Sequence, residues 1–142
     1  MKTLKTIFIL LALVCANSSF AQTQEETIAW IKEKLEKHGI SEDTGIEVME
    51  VEPCVIYYKR IFYGEDGDTE KFDPSESEWS VDNGRVISKK GKIIEGFRIK
   101  SSTKFYTNWI TLYENGVPDI KERFAKALNH LATFCEKKKE TF

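Results

Sequence analysis

The chain has 142 residues, of which 41% are hydrophobic and 31% are charged, and its formal net charge is −2 at pH 7. This length suits one ordinary domain. The slightly acidic balance argues against a general nucleic-acid binder, because such proteins are normally strongly basic.

Residues 1–21 have the layout of an export signal. Lys2 and Lys5 form a positive start, and an apolar run of about ten residues follows, too short for a membrane span of about 20. Small residues at Ser19 and Ala21 predict cleavage after Ala21. We therefore expect an exported protein, periplasmic or secreted, with a single domain over residues 22–142 and no transmembrane span.

The cysteines are informative in an exported chain. Cys15 lies in the signal; its alternative role, as a lipidated N-terminus, is disfavoured because Val14 precedes it where a small residue is usual. Cys54 and Cys135 remain, and a disulfide between them would close a loop of about 80 residues, worth roughly 4 kcal/mol. The alternative is two separate buried thiols, because the sequence does not bring the two α-carbons within bridging distance.

The first predicted element after the signal is a helix over residues 23–39. Thr23 and Glu26 have the spacing of a capping box, and Gly39 is expected to end the helix in the left-handed conformation. The apolar positions at helical spacing are Ile28, Trp30, Ile31 and Leu35.

From residue 45 to residue 113 the pattern is typical of short strands. The predicted strands cover residues 46–51, 54–63, 79–81, 85–88, 92–100 and 104–113. We interpret residues 64–70 as an acidic turn, and Asp82-Asn83-Gly84 as a tight hairpin turn. No helix-length segment separates the strands, so neighbouring strands should be antiparallel.

The last predicted element is a long helix that begins at Pro118 and Asp119, with Asp119 and Glu122 repeating the capping pattern. Its apolar stripe consists of Ile120, Phe124, Ala127, Leu128, Leu131, Phe134 and Cys135. Such a stripe must be buried against the strands. The fold class is therefore α+β: an antiparallel sheet or barrel of about six or seven strands, with an N-terminal helix and a long C-terminal capping helix.

Charge is segregated along the strand region. Residues 65–82 hold eight acids and one base, whereas residues 85–104 hold seven bases and one acid. The bases are candidates for an anion-binding face: Arg85, Lys89, Lys90, Lys92, Arg98, Lys100 and Lys104. The favoured alternative is that the acidic and basic segments pair across the sheet and neutralise each other.

No catalytic, cofactor-binding or metal-binding set is predicted. His130 lies at the margin of the last helix's apolar stripe, where a hydrogen bond to backbone or solvent explains it, and His38 is expected to be structural. The chain contains no G-x-S-x-G, C-x-x-C or H-E-x-x-H motif. An EF-hand loop counted from Asp66 would need glycine at position 71 and glutamate at position 77, where the chain has Lys71 and Ser77, so an EF-hand is excluded. A weak surface calcium site at the acidic residues between 65 and 73 stays open.

Two resemblances follow from these patterns. The segments "SSFAQ" and "ERFAKALNHLATFCEKKKETF" resemble small exported proteins of Bacteroidetes-type bacteria, a resemblance that implies no catalytic residue. The layout of short antiparallel strands with a final helix is similar to a pleckstrin-homology-like barrel, which implies a binding module.

The function hypotheses follow from this layout. The favoured one is an exported, non-enzymatic binding or interaction module for a protein, a glycan or a small ligand, without cofactor or nucleic acid. The alternatives are a carrier of a small lipid-like ligand, which needs an apolar cavity, and an enzyme that uses carboxylates in a cleft between helix and sheet.

Overall fold

A computed structural model describes residues 22–136, so the predicted export signal lies outside the described residues. The helices and strands of this segment, in chain order, are α1 (Gln24–His38), β1 (Thr44–Glu52), β2 (Val55–Phe62), β3 (Glu65–Phe72), a 3-10 helix (Pro74–Glu76), β4 (Trp79–Asp82), β5 (Arg85–Ser88), β6 (Ile94–Arg98), β7 (Thr103–Thr107), β8 (Trp109–Ile110) and α2 (Ile120–Ala132). The α+β class, the antiparallel strands and the two terminal helices are confirmed. Neither described helix is long and apolar enough to cross a membrane.

The eight strands between residues 22 and 136 form two antiparallel sheets. The larger sheet has the order β1-β2-β3-β6-β7, and the smaller sheet has the order β4-β5-β8. The strand predicted at 104–113 divides at Asn108, where the chain passes from β7 in the larger sheet to β8 in the smaller one. The carbonyl of Asn108 accepts a 2.7 Å hydrogen bond from the N–H of Ser88, which joins β5 to this crossing point.

Strand β3 corrects the interpretation of residues 64–70 as a turn. The turn consists of Tyr63 and Gly64 alone, and the acidic residues that follow pair with β2 on one side and with β6 on the other. Asp, Glu and Gly are poor strand formers. Here the hydrogen bonds to two neighbouring strands outweigh that weak preference.

The α1 helix begins as predicted but ends for a different reason. The Thr23 hydroxyl accepts from the N–H of Glu26, and the Glu26 carboxylate accepts from the N–H of Thr23, both at 3.1 Å. Gly39, however, has a φ of −81° and is not left-handed. A Cβ at this position would collide with the Ile46 side chain and with the carbonyl of Leu35. The glycine therefore permits close packing of the helix end against β1.

The α2 helix is shorter than predicted, because it ends at Ala132 and leaves Phe134 and Cys135 in the segment after it. The side chain of Asp119 makes no capping hydrogen bond, so that part of the capping prediction is wrong. The buried residues of α2 are Ile120, Phe124, Ala125, Leu128 and Leu131. They pack against β4, β5, the 3-10 helix and α1, which makes α2 the predicted cover of the strands.

One hydrophobic core joins the two helices to the two sheets. The larger sheet contributes buried side chains such as Ile56, Tyr58 and Ile94 from one side, called here the core face. Trp79, from the smaller sheet, packs its ring on Phe72 at 4.9 Å between centroids and donates its indole N–H to the carbonyl of Pro74. The buried indole is therefore both packed and hydrogen-bonded.

Asn129 on α2 closes the open edge of β4. Its side-chain oxygen accepts the N–H of Trp79 at 2.8 Å, and its side-chain amide donates to the carbonyl of Trp79 at 2.9 Å. The amide group thus replaces the neighbouring strand that an edge residue lacks. Asn129 lies outside the predicted apolar stripe of this helix, and the sequence pattern did not indicate the contact.

Cys54 and Cys135 form a disulfide, with 5.0 Å between their α-carbons and a sequence separation of 81 residues. Cys54 lies in the turn between β1 and β2, whereas Cys135 follows α2. The bond therefore ties the far end of the covering helix to the larger sheet, and the alternative of two separate thiols is excluded.

Removing the disulfide is expected to lower the free energy of unfolding by roughly 4 kcal/mol, because the unfolded chain regains the entropy of an open loop. Urea unfolding of the Cys54→Ser/Cys135→Ser variant measures this loss. Reductant should produce the same loss in the wild type and no further change in the double variant. An unchanged unfolding midpoint in the double variant would contradict the prediction.

Asn129→Ala is expected to destabilise the protein by about 1–3 kcal/mol, because two backbone groups of Trp79 lose their partner. Lys126→Ala, at an exposed position one turn earlier on the same helix, is the matched control and should change stability by less than about 0.5 kcal/mol. Thermal and urea unfolding compare the two variants. Equal effects would mean that the Asn129 contact contributes nothing specific.

Candidate functional site

A cleft of about 370 Å³ opens at the end of the larger sheet, where β2 and β6 finish and β3 begins. Its lining residues are Phe62, Tyr63, Glu65, Asp66, Gly67, Asp68, Arg98, Lys100 and Ser101. Arg98 follows the buried Ile94 by four residues, so strand alternation places it on the core face. The cleft therefore continues the core face past the part that is buried in the hydrophobic core.

The floor of the cleft is a β-bulge in β3. Lys59 pairs with Thr69 and Ile61 pairs with Asp66, so Gly67 and Asp68 together oppose Arg60. A bulge bends its strand and redirects the side chains on it. Asp68 alternates regularly with the buried Glu70 and therefore lies on the core face, and beyond the bulge Glu65 returns to that face.

Two aromatic rings pack closely against glycines beside the cleft. A Cβ at Gly67 would collide with the ring of Phe62, and a Cβ at Gly96 would collide with the ring of Phe105. Both glycines are buried under these rings. The Phe105 ring in turn supports the guanidinium of Arg98, whose central carbon is 5.0 Å from the ring centroid. The glycines therefore determine where the aromatic walls stand.

An ion pair separates the cleft from the hydrophobic core. The Arg60 Nε donates to the Glu70 Oε2 at 2.9 Å, and only 11% and 7% of these two side chains are exposed. The Tyr58 hydroxyl is buried beside them without a hydrogen-bond partner of good geometry among the described residues. Burial, and then the charge of Glu70, raise the pKa of Tyr58 well above its usual value near 10. The tyrosine therefore stays neutral.

The structure spreads the seven predicted anion-binding residues over both sheets and the segments that follow their strands. Those with a carboxylate partner are Lys89 with Glu78 at 2.9 Å, Lys100 with Glu65 at 3.5 Å and Lys104 with Glu95 at 3.2 Å. Arg85 stacks on Trp109 at 4.7 Å and Arg98 on Phe105, while Lys90 and Lys92 lie in the segment between β5 and β6.

Only Arg98 and Lys100 of this set line the cleft. The register places Asp68 of β3 opposite Arg98 of β6, so the acidic and basic segments are neighbours in the sheet. Anion binding by all seven residues stays a prediction. The bulge of the cleft was not identified from the sequence, although the Gly67 between acids in a strand was an available signal for a bulge.

Both histidines have structural contacts. The Nε2 of His130 is 3.0 Å from the backbone carbonyl of Gln22, which agrees with the expected backbone partner. His38 is completely buried. Its Nδ1 lies 2.9 Å from the carbonyl oxygen of Tyr113, and the backbone carbonyl of His38 accepts a 2.7 Å hydrogen bond from the N–H of Tyr113. His38 therefore fastens the end of α1 to the segment after β8.

Residues 22–136 contain no group of three or more His, Cys, Asp or Glu side chains arranged to hold a metal ion. Comparison with family models, curated proteins and solved structures finds no match for this chain. The cleft is consequently interpreted from its own geometry.

Tyr58→Phe is expected to reduce the loss of stability at alkaline pH. The pKa of Tyr58 is higher in the folded chain than in the unfolded chain, so the unfolded chain loses the proton first and stability falls as the pH rises above about 10. Phenylalanine removes this titration. At pH 7 its effect should be neutral or stabilising by about 1 kcal/mol, because the hydroxyl lacks a partner.

Urea unfolding at pH 7 and at about pH 11 measures both effects. Tyr106→Phe is the control, because Tyr106 is 54% exposed, whereas Tyr58 is fully buried. The prediction fails when the two variants lose the same amount of stability between the two pH values.

Proposed function

We propose that this protein is an exported binding module that holds a small ligand with an apolar face in the cleft beneath Tyr63. The observation that carries this proposal is the backbone of Tyr63, which has a φ of +51°. A bulky side chain in this left-handed region is uncommon, and such conformations cost about 1–3 kcal/mol and cluster at functional sites.

A second hairpin in the same molecule shows what the usual residue would be. The β4–β5 turn consists of Asn83 and Gly84, with φ values of +50° and +71°. The β2–β3 turn has the same length and similar values, +51° at Tyr63 and +76° at Gly64. Asparagine is favoured at the first of these positions and tyrosine is not. The tyrosine therefore replaces a more stable residue in an equivalent turn.

The position of the Tyr63 ring supports a binding role for that replacement. The side chain is 80% exposed, so burial in the core does not compensate for the strained backbone. The residue lines the cleft and also a neighbouring cleft of about 440 Å³ formed with residues 41–45. Its N–H donates to the carbonyl of Asp43 at 2.9 Å, which holds the turn in place. An aromatic ring in this setting offers a stacking surface at the entrance.

The size and lining of the cleft favour a small ligand over a lipid. A volume of about 370 Å³ lies at the lower end of the range of small-molecule sites. Aromatic walls provide apolar contact, while the side chains of Glu65, Asp68 and Arg98 provide charges that suit a polar ligand. A lipid-like ligand would instead require a wholly apolar cavity. The carboxylates at Glu65 and Asp68 are the candidates for the carboxylate-enzyme alternative.

The proposal of export rests on the pattern of residues 1–21 and is supported by the disulfide. Stable disulfides belong mainly to oxidising compartments. Short antiparallel strands with a final helix are also the layout from which we infer the pleckstrin-homology-like resemblance, and such folds commonly serve as binding modules.

Tyr63→Asn is expected to increase the free energy of unfolding by about 1 kcal/mol, because asparagine tolerates the left-handed conformation better. The same change should weaken the binding of aromatic probes by about fivefold, since a ring contact of about 1 kcal/mol is lost. Two-dimensional NMR titration with phenol and indole measures binding. In the wild type, the shifted amides should be those of Tyr63, Gly67, Arg98 and Ser101.

Asn83→Tyr is the matched control, because it places tyrosine in the equivalent turn away from the cleft. This variant should lose stability and leave the probe titration unchanged. Probe-induced shifts confined to the other side of the sheet, around the exposed Tyr106, would show that the proposed site is wrong.

A further inference from the structure

We propose that the cleft selects a zwitterion, an α-amino acid with an apolar side chain, whose carboxylate binds Arg98 and whose ammonium group binds Asp68. This inference rests on the proposed function, since it names the ligand class of the same cleft. It depends on two opposite charges that face each other across the sheet without pairing.

Asp68 and Arg98 are register partners on β3 and β6. Opposite charges at directly facing positions normally interact, since their β-carbons are about 5 Å apart. Here their charged groups are not within 4.0 Å of each other, and neither side chain makes a hydrogen bond or an ion pair with any residue between 22 and 136. Both charges therefore retain their capacity to bind a ligand.

Arg98 is held in place by stacking instead of by an ion pair. Its guanidinium lies 5.0 Å from the centre of the Phe105 ring, and that ring lies over Gly96 on the same strand as Arg98. This cation–π contact uses none of the N–H donors of the guanidinium. This planar fork matches a carboxylate, which it binds through two parallel hydrogen bonds.

Asp68 differs from the other two carboxylates of the cleft. Glu65 pairs with Lys100 at 3.5 Å, and Asp66 pairs with Lys59 at 3.3 Å. Asp68 is half-buried on the bulge and has no such partner in the described segment. The two ion pairs cancel their own charges, which leaves one anion at Asp68 and one cation at Arg98.

An α-amino acid fits this arrangement because its ammonium and carboxylate groups are attached to one carbon. Asp68 and Arg98, at facing positions on adjacent strands, are the two opposite charges that would bind these groups, and they too are a short distance apart. The rings of Phe62 and Tyr63 line the same cleft and offer an apolar surface to the side chain of the amino acid. A simple anion would leave Asp68 unpaired, and a simple cation would leave Arg98 unpaired.

The test uses three probes that share one side chain: L-phenylalanine, N-acetyl-L-phenylalanine without the ammonium charge, and L-phenylalanine amide without the carboxylate. NMR titration of the disulfide-bonded protein should give a dissociation constant for L-phenylalanine about tenfold lower than for either derivative, the effect of one charge-assisted contact. Asp68→Asn should abolish the advantage over the N-acetyl derivative. Arg98→Gln should abolish the advantage over the amide.

Lys89→Gln is the matched control, because Lys89 follows β5 and carries its charge outside the cleft, and it should leave all three dissociation constants unchanged. Equal affinity for the three probes at the cleft would overturn the zwitterion while the binding cleft stands. Failure of these probes together with phenol and indole to shift any cleft resonance would overturn both proposals. Tighter binding of the N-acetyl derivative than of L-phenylalanine would also overturn the zwitterion and indicate an anion site.

Discussion

The buried ion pair between Arg60 and Glu70 is the boundary on which the arrangement of this protein depends. On one side of it the core face is apolar and belongs to the hydrophobic core, and on the other side the same face is open to solvent. Two charges with so little exposure are costly unless they are paired. Their pairing lets a single sheet carry a hydrophobic core at one end and a polar cleft at the other.

Glycine and strain shape the cleft beyond that boundary. Gly67 and Gly96 leave the space that the rings of Phe62 and Phe105 occupy, so the absence of two β-carbons determines the aromatic walls. The adjacent turn keeps Tyr63 in a conformation that a smaller polar residue would adopt at lower cost. Tyr63 therefore lowers the stability of its turn and places an aromatic ring at the entrance of the cleft, which agrees with the binding role that we propose.

Much of the fold was predictable from local signals, and the departures have identifiable physical causes. The capping box of α1 and the Asn83-Gly84 turn involve residues close in sequence, whose preferences act directly on the backbone. Strand β3 was not predicted, because its residues are poor strand formers and its stability comes from β2 and β6. Gly39 was assigned a left-handed conformation, whereas a distant side chain, that of Ile46, is the reason for the glycine.

The sequence by itself determined the class of the fold, the ends that are helical, the antiparallel pairing and the cysteines available for a bond, because periodicity and capping are local properties. The tertiary structure alone decided that Cys54 meets Cys135, that Asp68 faces Arg98 across the sheet, and that Arg98 lies over the Phe105 ring without pairing with Asp68. Each of these depends on distances between residues far apart in the chain. Such distances follow from sheet order and packing, which no local pattern of residues contains.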